Sequence, residues 1–169
     1  MAAGPDLDQA AFTAFHAGTA GPLWGYLKRI GGDAALADDI LQESYLRFLS
    51  RPPAAASSER ERRGYLFQIA TNLMRDRWRR ESTERTGLAR FLPASEAGWT
   101  RNPATADQLD CAAALARLRP RDRAVLWLAH VEGYEHREIA EILGLRTAGV
   151  RVLLFRARKK MMQNLETKR

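Results

Sequence analysis

Apolar residues recur at helical spacing through most of the chain, and this periodicity constrains the fold more than any other feature of the sequence. No segment alternates apolar and polar residues as a half-buried β-strand would. The predicted helices cover residues 7–17, 21–31, 34–50, 63–80, 107–118, 121–132, 135–143 and 148–164. The sequence therefore predicts an all-α fold with two groups of four helices.

Between these groups, the segment from Glu81 to Thr105 loses the periodicity and is rich in Gly, Pro, Ser and Thr. A connection longer than about 15 residues without regular structure argues against one compact domain. We therefore predict two small helical domains, residues 1–80 and 107–169, joined by a flexible linker over residues 81–106.

The chain carries a formal net charge of +7, which favours an acidic partner such as a nucleic acid. The excess of positive charge falls in residues 60–80 and 111–169. Its one cysteine, Cys111, excludes an intramolecular disulfide and suits a reducing compartment. With neither an apolar run of about 18 residues nor a signal peptide, the sequence predicts a cytoplasmic protein.

The predicted helix over residues 63–80 has two distinct faces. Leu66, Phe67, Ala70, Leu73 and Met74 lie on the apolar face. The polar face carries Tyr65, Gln68, Asn72, Arg75, Asp76 and Arg79, and the basic run continues to Arg80. Aromatic, amide and arginine side chains stack on bases, bond to base edges and neutralise phosphates. This face is therefore a candidate nucleic-acid surface, and a solvated helix face is the alternative.

The predicted helix over residues 34–50 has an apolar side formed by Leu36, Ile40, Leu41, Tyr45, Phe48 and Leu49. Its remaining surface carries Asp38, Asp39, Gln42, Glu43 and Arg47. A protein-docking face or a solvated face explains this pattern. A metal-dependent nuclease would use Asp38, Asp39 and Glu43, but nothing nearby in the sequence completes such a site. The three histidines do not cluster either, and we predict no metal or other cofactor.

The segment from Gly133 to Lys160 has the punctuation of a helix-turn-helix. Gly144 suits a left-handed C-terminal cap, and Thr147 is predicted to cap the next helix. Val150, Leu154, Ala157 and Met161 form the predicted inner face of that helix. The outer face carries Ala148, Arg151, Val152, Phe155, Arg156 and Lys159, with Leu153 at the boundary.

The outer face combines apolar and basic side chains, which predicts DNA recognition. Val152 and Phe155 could contact thymine methyl groups, while Arg151 and Arg156 could reach guanine edges or phosphates. The alternative is that the face docks a protein, because other helical hairpins use the same turn chemistry.

Together, these segments resemble the extracytoplasmic-function (ECF) group of the sigma-70 family of bacterial RNA polymerase sigma factors. "ADDILQESYLRFL" is similar to the polymerase-docking helix of the group, and "YLFQIATNLMRDRWRR" to its promoter-melting helix. "LARLRPRDRAVLWLAHVEGYEHREIAEILGL", followed by "RARKKM", is similar to its promoter-recognition domain. The order and spacing of the three segments also match the family.

The resemblance implies a transcription initiation factor without enzymatic activity, which binds core RNA polymerase and promoter DNA. Polymerase binding is expected at Asp39, Gln42, Glu43 and Arg47. Promoter DNA is expected at Tyr65, Gln68, Asn72, Arg75, Asp76, Arg79, Arg80, Thr147, Arg151, Val152, Phe155, Arg156 and Lys159. The family also implies regulation by an anti-sigma factor. A sigma-like adaptor that binds protein through Val152, Leu153 and Phe155 is the main alternative.

The chain departs from the family pattern within the predicted recognition helix. Gly149, Val152 and Leu153 stand where threonine, serine and arginine are usual, and Glu135 stands where a Ser or Thr helix cap is common. We therefore transfer no promoter sequence from the family.

Overall fold

The computed structural model describes residues 8–85 and 106–167, and all regular secondary structure in these ranges is α-helical. The helices are α1 (Gln9–Gly31), α2 (Ala34–Ser50), α3 (Glu59–Arg85), α4 (Ala106–Ala116), α5 (Pro120–His130), α6 (His136–Leu143) and α7 (Thr147–Glu166). The predicted all-α fold is confirmed. Of the predicted linker, residues 86–105 lie outside the described residues.

The described residues form two compact helical units. The first is built around α2 and α3 with most of α1, and the second around α4 to α7. No helix within these described ranges is long and apolar enough to cross a membrane.

Aromatic side chains form much of the core of the first unit. Phe15 of α1 stacks on Phe48 of α2 with ring centroids 5.0 Å apart. The ring centroids of Tyr26 in α1 and Phe67 in α3 are 5.3 Å apart. The Tyr26 hydroxyl forms a hydrogen bond of 2.9 Å with the hydroxyl of Thr71. Because Tyr26 and Thr71 are both buried, this hydrogen bond satisfies polar groups that would otherwise be costly to remove from water. These contacts hold α1 against α2 and α3.

The first helix is longer than predicted. Two helices, over residues 7–17 and 21–31, were expected, but α1 is continuous from Gln9 to Gly31 and contains Pro22. Buried Thr19, Leu23 and Tyr26 recur at helical spacing on both sides of the proline. Packing of this buried stripe outweighs the loss of one backbone hydrogen bond.

The helix α3 also extends beyond the predicted residues 63–80, at both ends. A capping box accounts for the earlier start. The backbone N–H of Ser58 donates to the Glu61 carboxylate at 2.6 Å, and the N–H of Glu61 donates to the Ser58 hydroxyl at 3.2 Å. Hydrogen bonding of the Ser58 backbone N–H to the Glu61 carboxylate, and secondarily of the Ser58 hydroxyl to the same carboxylate, lowers the pKa of Glu61. The other five helices agree with prediction to within two residues at each end.

In the second unit, α4, α5 and α6 all pack against α7. Val125 and Leu128 of α5, Ile139 of α6 and Val150 of α7 are fully buried. Asp122, in the first turn of α5, is only 4% exposed, and its carboxylate accepts a hydrogen bond from the Lys160 ammonium group at 2.9 Å. This ion pair joins the start of α5 to the second half of α7.

The turn between α6 and α7 confirms one predicted cap and corrects another. Gly144 has a φ of 64°, as a left-handed cap requires, and Leu145 N–H bonds to the Ala140 carbonyl at 2.8 Å. Thr147 is not the N-cap of α7, however. Arg146 occupies that position in an extended conformation without a side-chain capping bond, so Thr147 is the first helical residue.

Glu135 occupies the N-cap of α6, where the family usually has Ser or Thr. Its backbone N–H donates to the carboxylate of Glu138 at 2.7 Å. The acidic residue one turn into the helix thus satisfies a backbone donor at the helix start, and α6 forms without a hydroxyl cap.

Candidate functional site

The exposed side of α2 contains a set of polar residues that we call the α2 surface: Asp39, Gln42, Glu43 and Arg47. The Arg47 side chain donates to Glu43 at 2.8 Å, one turn apart on the helix. The Asp39 carboxylate lies 3.9 Å from the guanidinium group of Arg77 in α3, and the Asp39 side chain is 71% exposed. Because both pairs are exposed, they contribute little to stability, and the charges remain accessible to a partner.

The neighbouring carboxylates do not assemble into a metal site. Asp38 accepts a hydrogen bond from the Trp24 indole N–H at 2.7 Å, whereas Asp39 and Glu43 face different arginines. Residues 8–85 and 106–167 contain no group of three His, Cys, Asp or Glu residues placed to hold a metal ion. The geometry therefore lends no support to a nuclease centred on these three carboxylates.

The apolar side predicted for α2 needs one correction. Leu49 was predicted on the apolar side but is 46% exposed, and the neighbouring Leu46 is 61% exposed. Ser44 is buried instead, because its hydroxyl donates to the Ile40 carbonyl at 2.6 Å and so needs no water. Two leucines therefore extend the exposed α2 surface toward the end of the helix.

The predicted inner face of α3 is confirmed, since Leu66, Phe67, Ala70, Leu73 and Met74 are all buried. The opposite side forms what we call the α3 surface: Tyr65, Gln68, Asn72, Arg75, Asp76, Arg79 and Arg80. Asn72 is exposed, and neither it nor Gln68 hydrogen-bonds to another described residue. Their amides are thus available to donate to and accept from a ligand.

Two features fix the position of the α3 surface and determine its charge. The hydroxyl of half-buried Tyr65 donates to the Arg51 carbonyl at 3.0 Å, which ties the loop after α2 to the start of this surface. Farther along, Arg75, Arg79 and Arg80 are exposed, and Asp76 lies 3.7 Å from Arg79. The exposed amide of Asn72 therefore lies on a predominantly cationic helix face, which suits a polyanion with exposed bases.

The two faces of α7 also divide as predicted over its first three turns, whereas Met161, predicted on the inner face, is only half-buried. Val150 and Ala157 are fully buried and Leu154 is 2% exposed, whereas Val152 and Phe155 are 50% and 68% exposed. The outward residues form what we call the α7 surface: Thr147, Arg151, Val152, Phe155, Arg156 and Lys159. All six are exposed. This surface can therefore meet a partner without any rearrangement of the core.

Two contacts between α5 and α7 were missed from the sequence. One is the Asp122–Lys160 pair, and in the other Arg158 donates to the His130 imidazole at 3.2 Å. Burial, together with the charge of Arg158, lowers the pKa of His130. An acidic residue two positions after Pro120, in the first turn of a predicted helix, was the one available signal, and it does not identify a partner 38 residues away.

Comparison with known proteins identifies the family. The Sigma-70 region 2 model matches residues 19–84, and the Sigma-70, region 4 model matches residues 109–161. The ECF RNA polymerase sigma factor SigL of Mycobacterium tuberculosis is 30% identical over 166 residues, which cover 94% of this chain and 91% of SigL. This chain belongs to the ECF RNA polymerase sigma factors. The ECF sigma factor BldN of Streptomyces coelicolor is 31% identical over 137 residues, 76% of this chain and 50% of BldN.

Solved structures show the same fold. The sigma factor RpoE from Bartonella quintana, in complex with the anti-sigma factor NepR, gives a TM-score of 0.80 at 19% identity and covers 94% of this chain and 98% of RpoE. CnrH, in complex with the cytosolic domain of CnrY, gives a TM-score of 0.66 at 23% identity and covers 96% of this chain and 92% of CnrH.

As an ECF sigma factor, the protein is a transcription initiation factor that binds core RNA polymerase, directs it to promoters and helps open the DNA. The α2 and α3 surfaces fall within the region 2 match, and the α7 surface falls within the region 4 match. The adaptor and nuclease alternatives are not favoured by these comparisons.

Proposed function

We propose that the three surfaces divide the work of initiation. The α2 surface docks on core polymerase, the α3 surface holds separated bases during promoter opening, and the α7 surface recognises the upstream promoter element. Residues 1–80 and 107–169 act as the two functional domains, with 81–106 as their linker. The protein performs no chemistry of its own and acts in the cytoplasm.

One observation carries the opening role. Asn72 presents an exposed amide without a hydrogen bond to another described residue, and the exposed arginines Arg75, Arg79 and Arg80 follow it on the same helix face. The opposite face of α3 is buried in the core. Arginines supply attraction to phosphates regardless of sequence, whereas an amide can bond to the edge of a displaced base. Separating and unstacking one base costs a few kcal/mol, and contacts of this kind offset that cost.

Substitution of Asn72 tests whether its amide acts in promoter opening while the arginines act in duplex binding. In the holoenzyme, Asn72→Ala is expected to reduce the fraction of promoter that becomes permanganate-reactive, with little change in closed-complex affinity. Arg80→Ala is the matched control, because loss of a phosphate-attracting charge weakens closed-complex binding first. If Asn72→Ala weakens closed-complex binding as strongly as opening, the amide has no special role in holding displaced bases.

Docking is tested by reversing one charge of the α2 surface. Glu43→Arg is expected to weaken binding to core polymerase at least tenfold, because a complementary contact becomes a repulsive one, an effect of about 1.4 kcal/mol or more. Glu59→Arg makes the same change in net charge at another exposed site of the first unit and serves as the control. Equal affinities of the two variants in calorimetric titration would remove Glu43 from the interface.

We also propose that an anti-sigma factor regulates the protein. The similar structures of RpoE and CnrH are complexes, RpoE with an anti-sigma factor and CnrH with a cytosolic domain, and this likeness supports the proposal. Purification of the tagged chain from its own cells is expected to recover a protein that competes with core polymerase. If every recovered partner binds together with polymerase, the proposal fails.

A further inference from the structure

The loop between α2 and α3, residues 51–58, is restrained along most of its length. Pro52 and Pro53 fix φ at two successive positions and supply no N–H group. The backbone N–H of Ser57 then donates to the carbonyl of Ala54 at 2.9 Å, which closes a turn. The capping box of α3 ends the loop, so the path of its backbone is restrained from the prolines to the first turn of the helix.

A side chain of α3 restrains the other end of this loop. The Tyr65 hydroxyl donates at 3.0 Å to the carbonyl of Arg51, the first residue of the loop. The Tyr65 ring is half-buried, and its centroid lies 6.0 Å from that of Phe48, which is fully buried in the core. Because the ring packs on the core and the hydroxyl bonds to the backbone, this side chain joins the loop to α3.

Tyr65 differs in this respect from the two amides of the α3 surface. Gln68 and Asn72 follow it at spacings of three and seven residues on the same side of the helix, and neither amide bonds to another described residue. Those amides are presented to a ligand, whereas the Tyr65 hydroxyl already has an acceptor within the protein. The polar tip of Tyr65 thus serves the conformation of the loop.

The loop itself suits a separated base better than a phosphate. From residue 52 to residue 58 it has only proline, alanine and serine side chains, without a charge, and most of them are exposed. Small uncharged groups and backbone polar groups can contact the face or edge of a base, whereas phosphates are attracted by cations. A loop that moved freely would have to be ordered when a base binds, and that loss of entropy would weaken binding.

We propose that Tyr65 is a positioning residue for promoter opening, which holds the loop over residues 51–58 beside the amides of Gln68 and Asn72. The residue acts through its hydrogen bond to Arg51 and not by contact with DNA. Ordering of the loop before DNA arrives lowers the entropic cost of holding a separated base. This inference rests on the proposed role of the α3 surface in opening.

Removal of the hydroxyl tests this role in the holoenzyme, on a promoter located by mapping transcript 5′ ends. Tyr65→Phe keeps the ring and loses one neutral hydrogen bond, so the ratio of open to closed complex is expected to fall about two- to tenfold. Closed-complex affinity is expected to stay unchanged, because no charge is lost. Tyr45→Phe is the matched control and is expected to open the promoter normally, since the Tyr45 hydroxyl bonds to buried Thr19 in the same unit and not to the loop.

Two further measurements separate positioning from direct contact and from a general loss of stability. In the free chain, hydrogen exchange of the Ser57 amide, which is bonded within the loop, is expected to be faster in Tyr65→Phe but not in Tyr45→Phe. Pro52→Gly loosens the loop at an exposed position and is expected to impair opening too. Once the loop is loosened, adding Tyr65→Phe is expected to cause little additional loss, because both changes act through the same restraint.

The outcomes separate this inference from the function on which it rests. If Tyr65→Phe opens the promoter normally while Asn72→Ala does not, the positioning role is refuted and the opening role of the α3 surface stands. If neither variant affects opening, the proposed function fails and the inference fails with it. If the losses from Tyr65→Phe and Pro52→Gly multiply, Tyr65 contacts DNA directly and the positioning role is overturned. Equal impairment by Tyr45→Phe would attribute the effect to stability and would also overturn it.

Discussion

Replacement of Leu154 by alanine tests the helical register on which the α7 surface depends. Leu154 is 2% exposed and faces the core of the second unit. The change removes three carbon atoms, and a buried methylene is worth about 0.8 kcal/mol, so lost transfer free energy alone is about 2.4 kcal/mol. The cavity left behind adds to this, and such substitutions cost about 2–5 kcal/mol in all.

Hydrogen exchange of the full chain measures this loss within α5 and α7. A destabilisation of about 2.4 kcal/mol corresponds to roughly fiftyfold faster exchange of the amides that open only when the unit unfolds. Phe155→Ala is the matched control, because a side chain that is 68% exposed loses little burial and should accelerate exchange only slightly. If the two variants accelerate exchange equally, the assignment of inner and outer faces is wrong.

Three further predictions concern contacts of α7. Lys160→Met should destabilise the second unit by about 1–3 kcal/mol, because it leaves the buried Asp122 carboxylate without its ammonium partner. Adding Asp122→Asn in the same chain should recover part of this loss, and additive losses in urea unfolding would refute the coupling. Because the folded pKa of His130 is lowered, the unfolded chain binds the proton more tightly. The stability contributed by the neutral imidazole is therefore fully present above its ordinary pKa. It is lost as the pH falls from that value through the lowered pKa of the folded protein. Between about pH 7.5 and pH 5.5, the protein should lose stability relative to His130→Gln, and parallel pH profiles of the unfolding free energy would contradict this. Gly149→Ala should raise the unfolding free energy by about 0.5–1 kcal/mol, because alanine favours the helix and its Cβ would have no atom within 4 Å. A lowered melting temperature would show that the added methyl group is not accommodated.

Local sequence pattern was sufficient for the fold class and for the inner and outer faces of α3 and α7. Apolar residues at helical spacing identified the buried sides of both helices, and the residues opposite them became the candidate surfaces. Gly144 was predictable for the same reason, because a glycine directly after an apolar periodic segment suits the left-handed cap. These features depend on neighbours within about one or two turns, which lie side by side in the sequence.

Tertiary structure decided whatever depends on a distant partner. Continuity of α1 through Pro22 requires buried residues on both sides of the proline to pack against other helices. The pairing of Asp122 with Lys160 joins residues 38 positions apart, and that of Trp24 with Asp38 joins two helices. Periodicity places a side chain on a face of its own helix, but whether that face is covered, and by which charge or ring, is determined only when the helices pack together.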